Sequence, residues 1–393
     1  MGVNKHLSHI EELVLTKGND GAQEALKALN AVGKTLSPSG GAAVTITTKW
    51  DGAPAVVCGI DPADGKFFVG TKGVFAQNPK VAKTQSDVQR MYDGALAQKL
   101  SACLTHLKPV VRRGILQGDL LFTNDKSFEQ INGKGYITFR PNTLTYAADP
   151  DSKIGKDIQS AEVGIVFHTK YTGPSLQQLN ASFGVTDRDY SKSSNVWATS
   201  ANFTNVGGAA TFSADEYRTF QAAVRQAEGS VTKAGQFFNK IQSGKKALEL
   251  DTVFLQFFNS YYRGGRGLPS TTALYNQFVH YLAGQYNTQI QKNRTLETQA
   301  RKAFKFVDAL DFITANSQGM QMMIATYLNI TKAKNILVGK LNQVSQLPTF
   351  VETDKGYRVT APEGFVAISD GKAVKLVDRL EFSTLNFNVP KKW

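Results

Sequence analysis

The sequence predicts an α+β fold in which mixed, mainly antiparallel strands are interrupted by a large, all-helical insertion. Two observations carry this. Short alternating, β-branched segments bounded by Gly, Pro and Asp-Gly fill much of residues 42–170 and return after Pro348. Between them, from Ser213-Ala214-Asp215-Glu216 to about Leu347, the apolar spacing is helical. The division expected is residues 1–210 and 348–393 as one domain and 211–347 inserted into it.

Residues 1–36 read as two helices, with Ile10, Leu13 and Val14 on one and Ala25, Leu26, Leu29 and Val32 on the other. Gly18-Asn19-Asp20-Gly21 breaks them. Val44-Thr45-Ile46-Thr47-Thr48 is a strand that delivers Lys49-Trp50-Asp51-Gly52 at its end. A lysine at the lip of a sheet, beside a tryptophan and a turn, is partly desolvated. Desolvation lowers an ammonium pKa and leaves a nucleophilic amine; a surface lysine in a hairpin is the plainer alternative. Val88, Met91, Leu96, Leu100 and Leu104 mark helix within 85–110. Strands follow at 114–122, 135–146 and 162–169. Helices are expected at 214–228, 231–242, 247–262, 271–290, 294–315 and 319–343. Strands resume at 357–360 and 363–368, and Asp370-Gly371 turns the chain into 373–377.

Composition bounds the function. The chain has 393 residues, 41% hydrophobic and 20% charged, as in ordinary globular proteins. No apolar run reaches the roughly 20 residues that span a bilayer, so no membrane partner is expected. The N-terminus lacks an apolar signal core, and His6 spoils a myristoylation signal. Cys58 and Cys103 are the only cysteines, which points to the reducing cytoplasm. The net charge of +13 suggests a polyanion. It is concentrated in residues 224–344, with 15 Lys and Arg against 6 Asp and Glu. Arg263, Arg266, Lys292, Arg294, Arg301, Lys302 and Lys305 are the candidate phosphate contacts there, or members of a solvated basic face. The aromatic residues of the block, Phe304 and Phe306 among them, have core spacing.

Four charged residues interrupt strands: Lys49, Asp119, Glu363 and Lys375. A buried strand charge is costly unless paired or lining a site, so the set is either exposed strand faces or strands converging on a polar cleft. In order, the chain resembles the covalent nucleotidyltransferase superfamily of ATP-dependent DNA and RNA ligases and mRNA capping enzymes. Lys49-Trp50-Asp51-Gly52 resembles its K-x-D-G attachment motif. Thr71-Lys72-Gly73 resembles T-R-x-G, and Gly118-Asp119-Leu120 resembles D-G-E-L. Val166-Phe167-His168 is similar to its purine-stacking strand. Glu363-Gly364-Phe365-Val366 resembles E-G-V-V, and Val374-Lys375-Leu376-Val377 the final lysine motif. The match covers about residues 44–175 and 355–380, and the whole resembles phage-encoded ligase-like proteins, which would place it in host cytoplasm.

The resemblance implies a ligase-type nucleotidyltransferase fold and an ATP-dependent polynucleotide ligase, RNA favoured over DNA, acting on strand ends. Lys49 would carry AMP covalently, with Asp51 orienting it. Lys72 and Lys375 would neutralise phosphate, and Glu363 and Asp119 would hold Mg²⁺ or Mn²⁺ or the ribose. Phe167 would stack on adenine, or be a core phenylalanine. Trp50 reads as packing and His168 as a satisfied strand histidine. Lys replaces Arg at 72 and Asp replaces Glu at 119, and the second lysine of the last motif is missing unless Lys372 substitutes. Two alternatives stand beside this: a nucleotidyltransferase that adenylylates or caps another acceptor, and an inactive ligase-fold protein that binds nucleic acid.

Overall fold

The computed structural model describes residues 7–41, 44–205, 208–248, 250–353, 356–369 and 372–382. A 3₁₀ turn, Ile10–Glu12, leads into helix α1 (Leu13–Thr35), followed by strands β1 (Thr45–Lys49), β2 (Ala55–Ile60) and β3 (Phe67–Gly70). Helices α2 (Gln85–Met91) and α3 (Gly94–His106) precede β4 (Ile115–Phe122), β5 (Ser127–Ile131), β6 (Lys134–Phe139) and β7 (Thr145–Ala148). Then come α4 (Lys153–Ser160), β8 (Val163–Thr172), β9 (Asn180–Phe183) and β10 (Val196–Ser200). The helical run is α5 (Ala214–Leu248), α6 (Leu250–Arg263), α7 (Thr271–Lys292), α8 (Leu296–Ala315) and α9 (Ser317–Leu341). Strands β11 (Thr349–Thr353), β12 (Gly356–Thr360), β13 (Gly364–Ser369) and β14 (Lys372–Leu376) close the described chain.

The fold is mixed α+β with mainly antiparallel sheets. One sheet has the order β1-β13-β14, a second β10-β8-β4-β2-β3 with β9 beside β8, and a third β12-β11-β7-β6-β5. Among the described strands only β10 on β8 is a parallel pair. No helix among the described residues is long and apolar enough to cross a membrane. The three-stranded sheet turns Ile46, Phe365, Ala367, Val374 and Leu376 onto one face, where they join α1 and α5–α9 in a single apolar core. Strand alternation therefore sends Thr47, Lys49, Val366 and Lys375 to the opposite face.

Several elements differ from expectation. Helix α5 runs unbroken through Gly229, where two helices were expected. The buried stripe of Phe220, Ala223, Val224, Ala227, Val231 and Ala234 continues across the glycine, and its packing outweighs a propensity cost of about 1 kcal/mol. The helix expected over 85–110 is split at Tyr92-Asp93 into α2 and α3. Strand β5 was not read, although Asn132 and Gly133 at positive φ (52° and 80°) form the hairpin turn into β6. Strands β9, β10 and β11 also lacked a readable pattern. The break in the first helix falls at Gly18, which is non-helical (φ 60°, ψ −133°). The Asp370-Gly371 turn lies outside the described residues.

The helical run meets the N-terminal 3₁₀ turn and the segment after β14 through buried charge. Lys334 Nζ on α9 donates to Glu11 Oε1 at 2.9 Å, with both side chains at most 1% exposed. Arg379, just past β14, pairs with Glu12 Oε1 at 2.9 Å, donates to Tyr327 Oη at 3.1 Å and to Asn259, and lies over the Tyr262 ring at 4.3 Å. Most of the block's aromatic residues are core, as in the Phe254–Phe278 stack at 3.7 Å. Phe304 is the correction: it is 71% exposed on α8. The helical spacing that suggested a core places it on a face that no described element covers.

Candidate active site

Lys49 ends β1 opposite Gly364, so Glu363, one residue before β13, is delivered beside it. The Lys49 ammonium and Glu363 carboxylate form a direct ion pair, both largely buried. Lys375 shares the Lys49 face, because Val366 pairs with Thr47 on one side and with Lys375 on the other. Asp119, on β4, lies near enough for its charge to act on both Lys49 and Glu363. The two glycines of these motifs have steric reasons. A Cβ on Gly52 would lie 2.6 Å from Asp119 Cβ. Gly364 has φ +149°, and a Cβ there would lie 2.7 Å from the Leu376 carbonyl oxygen.

Asp51 does not face solvent. Its carboxylate is 3% exposed and accepts from Asn142 Nδ2, Thr143 N and Leu144 N, each at 2.7 Å. Its own backbone N–H donates to Tyr146 Oη at 2.7 Å, and Tyr146 stacks on Trp50 at 5.1 Å. Trp50 is packing, 6% exposed. Burial pushes the Asp51 carboxyl above its ordinary value, against the pull of its hydrogen bonds and Lys49. Asp51 thus fixes the lysine turn rather than offering a free carboxylate.

Burial acts to lower the Lys49 pKa, but the Glu363 charge and hydrogen bond, with Asp119 and Asp51, hold the ammonium above its ordinary value. This corrects the expectation of an amine neutralised by desolvation: with Glu363 in contact, the charged form wins. Burial pushes Glu363 up to about 7, opposed by Lys49. Lys375 is held below its ordinary value by burial and by the nearby Lys49 charge.

The remaining expected residues are not gathered here. Lys72 is exposed on the 3₁₀ turn after β3, and among the described residues no hydrogen bond or ion pair joins it to the four. Phe167 is 0% exposed and packs on Tyr190 at 5.4 Å, on the far face of its sheet, so its ring is a core ring in this state. The seven basic residues fall into two groups. Arg263 and Arg266 flank the start of α7, and the other five surround its end, about 30 Å away at 1.5 Å per residue. Arg266 stacks over Tyr261 at 4.7 Å, and Lys302 donates to Gln289 Oε1 at 3.1 Å.

His168 was read as satisfied and proves closer to the site. Its Nδ1 contacts Thr169 Oγ1 at 2.7 Å, and its Nε2 lies 3.7 Å from Asp119 Oδ1. The β4–β8 register passes from Gln117–Thr169 to Gly118–Phe167, leaving His168 as the extra residue of a bulge that re-aims it. No sequence signal marks that bulge. Asn142 and Tyr146, which secure Asp51, were likewise illegible.

Glu363 and Asp119 suit a cation that takes one or two protein carboxylates and fills its shell with water and phosphate. Among the described residues no group of three or more His, Cys, Asp and Glu is placed to hold a metal by itself. The comparisons with curated proteins and with solved structures found no match. A family model described as "Family of unknown function (DUF6267)" matches residues 4–391, nearly the whole chain, and the protein belongs to that family.

Proposed function

We propose that the protein is a covalent nucleotidyltransferase, an ATP-dependent polynucleotide ligase with RNA favoured over DNA. The observation that carries this is the clustering of Lys49, Asp119, Glu363 and Lys375, from three separate parts of the chain: Glu363 contacts Lys49, Lys375 shares its sheet face, and the Asp119 charge acts on it. Lys49 Nζ would attack the α-phosphorus of ATP, forming an N–P bond as the P–O bond to pyrophosphate breaks. The ammonium must lose one proton before attack, and the Glu363 carboxylate in contact with it is the acceptor at hand; the second proton, freed as the N–P bond forms, would leave with pyrophosphate or to solvent. Lys375 supplies positive charge beside the reacting phosphate. Glu363 and Asp119 would hold a divalent cation, which supplies further charge neutralisation on the phosphates. The adenylyl group would then pass to the 5′-phosphate of a strand.

A second reading is a ligase-fold protein that binds nucleic acid without chemistry. The buried Phe167 ring and the exposed Lys72, two motif residues outside the cluster around Lys49, favour it. Incubation with ATP labelled at the α-phosphate and Mg²⁺ or Mn²⁺, followed by denaturing electrophoresis, separates the two. Label retained on the wild type and absent from Lys49→Ala is expected. No label with either metal overturns the enzyme reading.

A further inference from the structure

A cleft of about 660 Å³ opens on the other side of the lysine turn, between that turn, α3 and the five-stranded sheet. Its volume lies in the range of small-molecule sites. Ala53 and Pro54, which directly follow Lys49-Trp50-Asp51-Gly52, form part of its wall, and so does Asn142, the residue that holds Asp51. A ligand seated here therefore touches the turn that carries Lys49 from two directions.

The chemistry of the lining is specific. Leu96, Pro54, Phe139, Pro141 and Tyr357 give apolar and aromatic walls, while Thr138, Ser127 and Thr145 add hydroxyls. The charged groups are already paired. Lys99 meets Asp125 at 2.9 Å, Arg140 meets Glu352 at 2.5 Å, and Tyr357 Oη donates to Glu129 Oε2 at 2.5 Å. Ser127 and Thr138 share a hydrogen bond at 3.1 Å. Thr145 is different: it is 2% exposed, and its Oγ1 has no hydrogen-bond partner among the described residues. A buried hydroxyl without a partner costs free energy that a ligand can return. A cleft with paired charges, apolar walls and one waiting hydroxyl suits an uncharged ring with a hydrogen-bonding edge, and leaves phosphates outside.

We propose that this cleft seats one nucleoside of the polynucleotide acceptor, the terminal base lying between the α3 wall and the sheet with its edge on Thr145. The proposal rests on reading Lys49 as the adenylyl carrier, which makes a strand end the second substrate. A nucleoside belonging to free ATP has the same chemistry, so the test separates the sources.

The probe is a short 5′-phosphorylated RNA with a terminal 4-thiouridine, photocrosslinked to the full chain and mapped by peptide mass. The expected crosslink falls on cleft peptides, around Leu96 or Tyr357, and survives excess ATP. Filling the cleft with Leu96→Trp should reduce its yield at least about tenfold. Thr145→Val, which removes only the hydroxyl, should reduce it about three- to tenfold, the worth of one hydrogen bond. Both variants should keep the covalent label from ATP. Crosslinks elsewhere, or a yield unchanged in both variants, overturn the proposal. Loss of the crosslink to excess ATP, with ATP labelling impaired in the cleft variants, assigns the cleft to the free nucleotide and overturns it as well. Lys49→Ala should keep the crosslink. A wild type that crosslinks in the cleft yet takes no label refutes the carrier reading alone.

Discussion

Lys49 and Glu363, far apart in the chain, meet because β1 and β13 pair with Lys49 opposite Gly364. Their contact sets the protonation of both. Removing the negative charge with Glu363→Gln takes away the main group that holds the Lys49 ammonium up, so its pKa falls. At pH 8 an amine-directed reagent should label Lys49 several-fold faster in Glu363→Gln than in the wild type, because more of the amine is then neutral. Equal or slower labelling would show that Glu363 does not control the amine.

The same carboxyl gives a stability signature. Its folded pKa is raised from 4.5 to about 7, so the folded state binds this proton more tightly than the unfolded chain. The stability it contributes is full below pH 4.5 and is lost as pH rises through about 7. Glu363→Gln cannot titrate, and its denaturation midpoint should fall less than that of the wild type over this window. Parallel profiles would contradict the assignment.

Asp51 is a structural anchor. Asp51→Ala strips the acceptor from Asn142 Nδ2 and from the Thr143 and Leu144 amides in a buried setting. A loss of about 2–4 kcal/mol by denaturant titration is expected, larger than for a surface carboxylate. A change below about 0.5 kcal/mol, the usual size of a surface effect, would mean the turn is held by other contacts.

Gly52→Ala would drive a Cβ to within 2.6 Å of Asp119 Cβ. The clash should separate Asp119 from the lysine turn and abolish covalent labelling while circular dichroism stays native. A labelled Gly52→Ala protein would show that the close approach is dispensable.

Lys334→Met leaves the fully buried Glu11 carboxylate without its nearest cation, with Arg379 Nη1 still 3.8 Å away. The expected cost is about 3–5 kcal/mol, and the double variant Glu11→Leu/Lys334→Met should recover most of it. Denaturant midpoints for the three proteins decide this. A double variant no more stable than the single one would place the cost elsewhere. Thr145→Val, which removes an unpartnered buried hydroxyl, should be neutral or slightly stabilising by the same measurement.

The strands that carry chemistry were legible because each announces itself locally. Val44 to Thr48 alternate, Lys49 sits at a strand end, and Asp119, Glu363 and Lys375 are charges set in apolar runs. The α+β class and the long helical run followed from the same periodicities. β5, an edge strand, was missed because it is mostly polar and exposed, and β11 because its buried and exposed residues fall in two blocks rather than alternating.

The sequence alone determined which residues have the chemistry to form a site, since residue type and period are local properties. The tertiary structure decided which of them meet. Register places Glu363 against Lys49 and turns Phe167 into the core, and a bulge swings His168 toward Asp119. It also decided the charge on Lys49, because a pKa follows the neighbours a side chain acquires on folding. Such neighbours come from distant segments, and no local pattern encodes their distance.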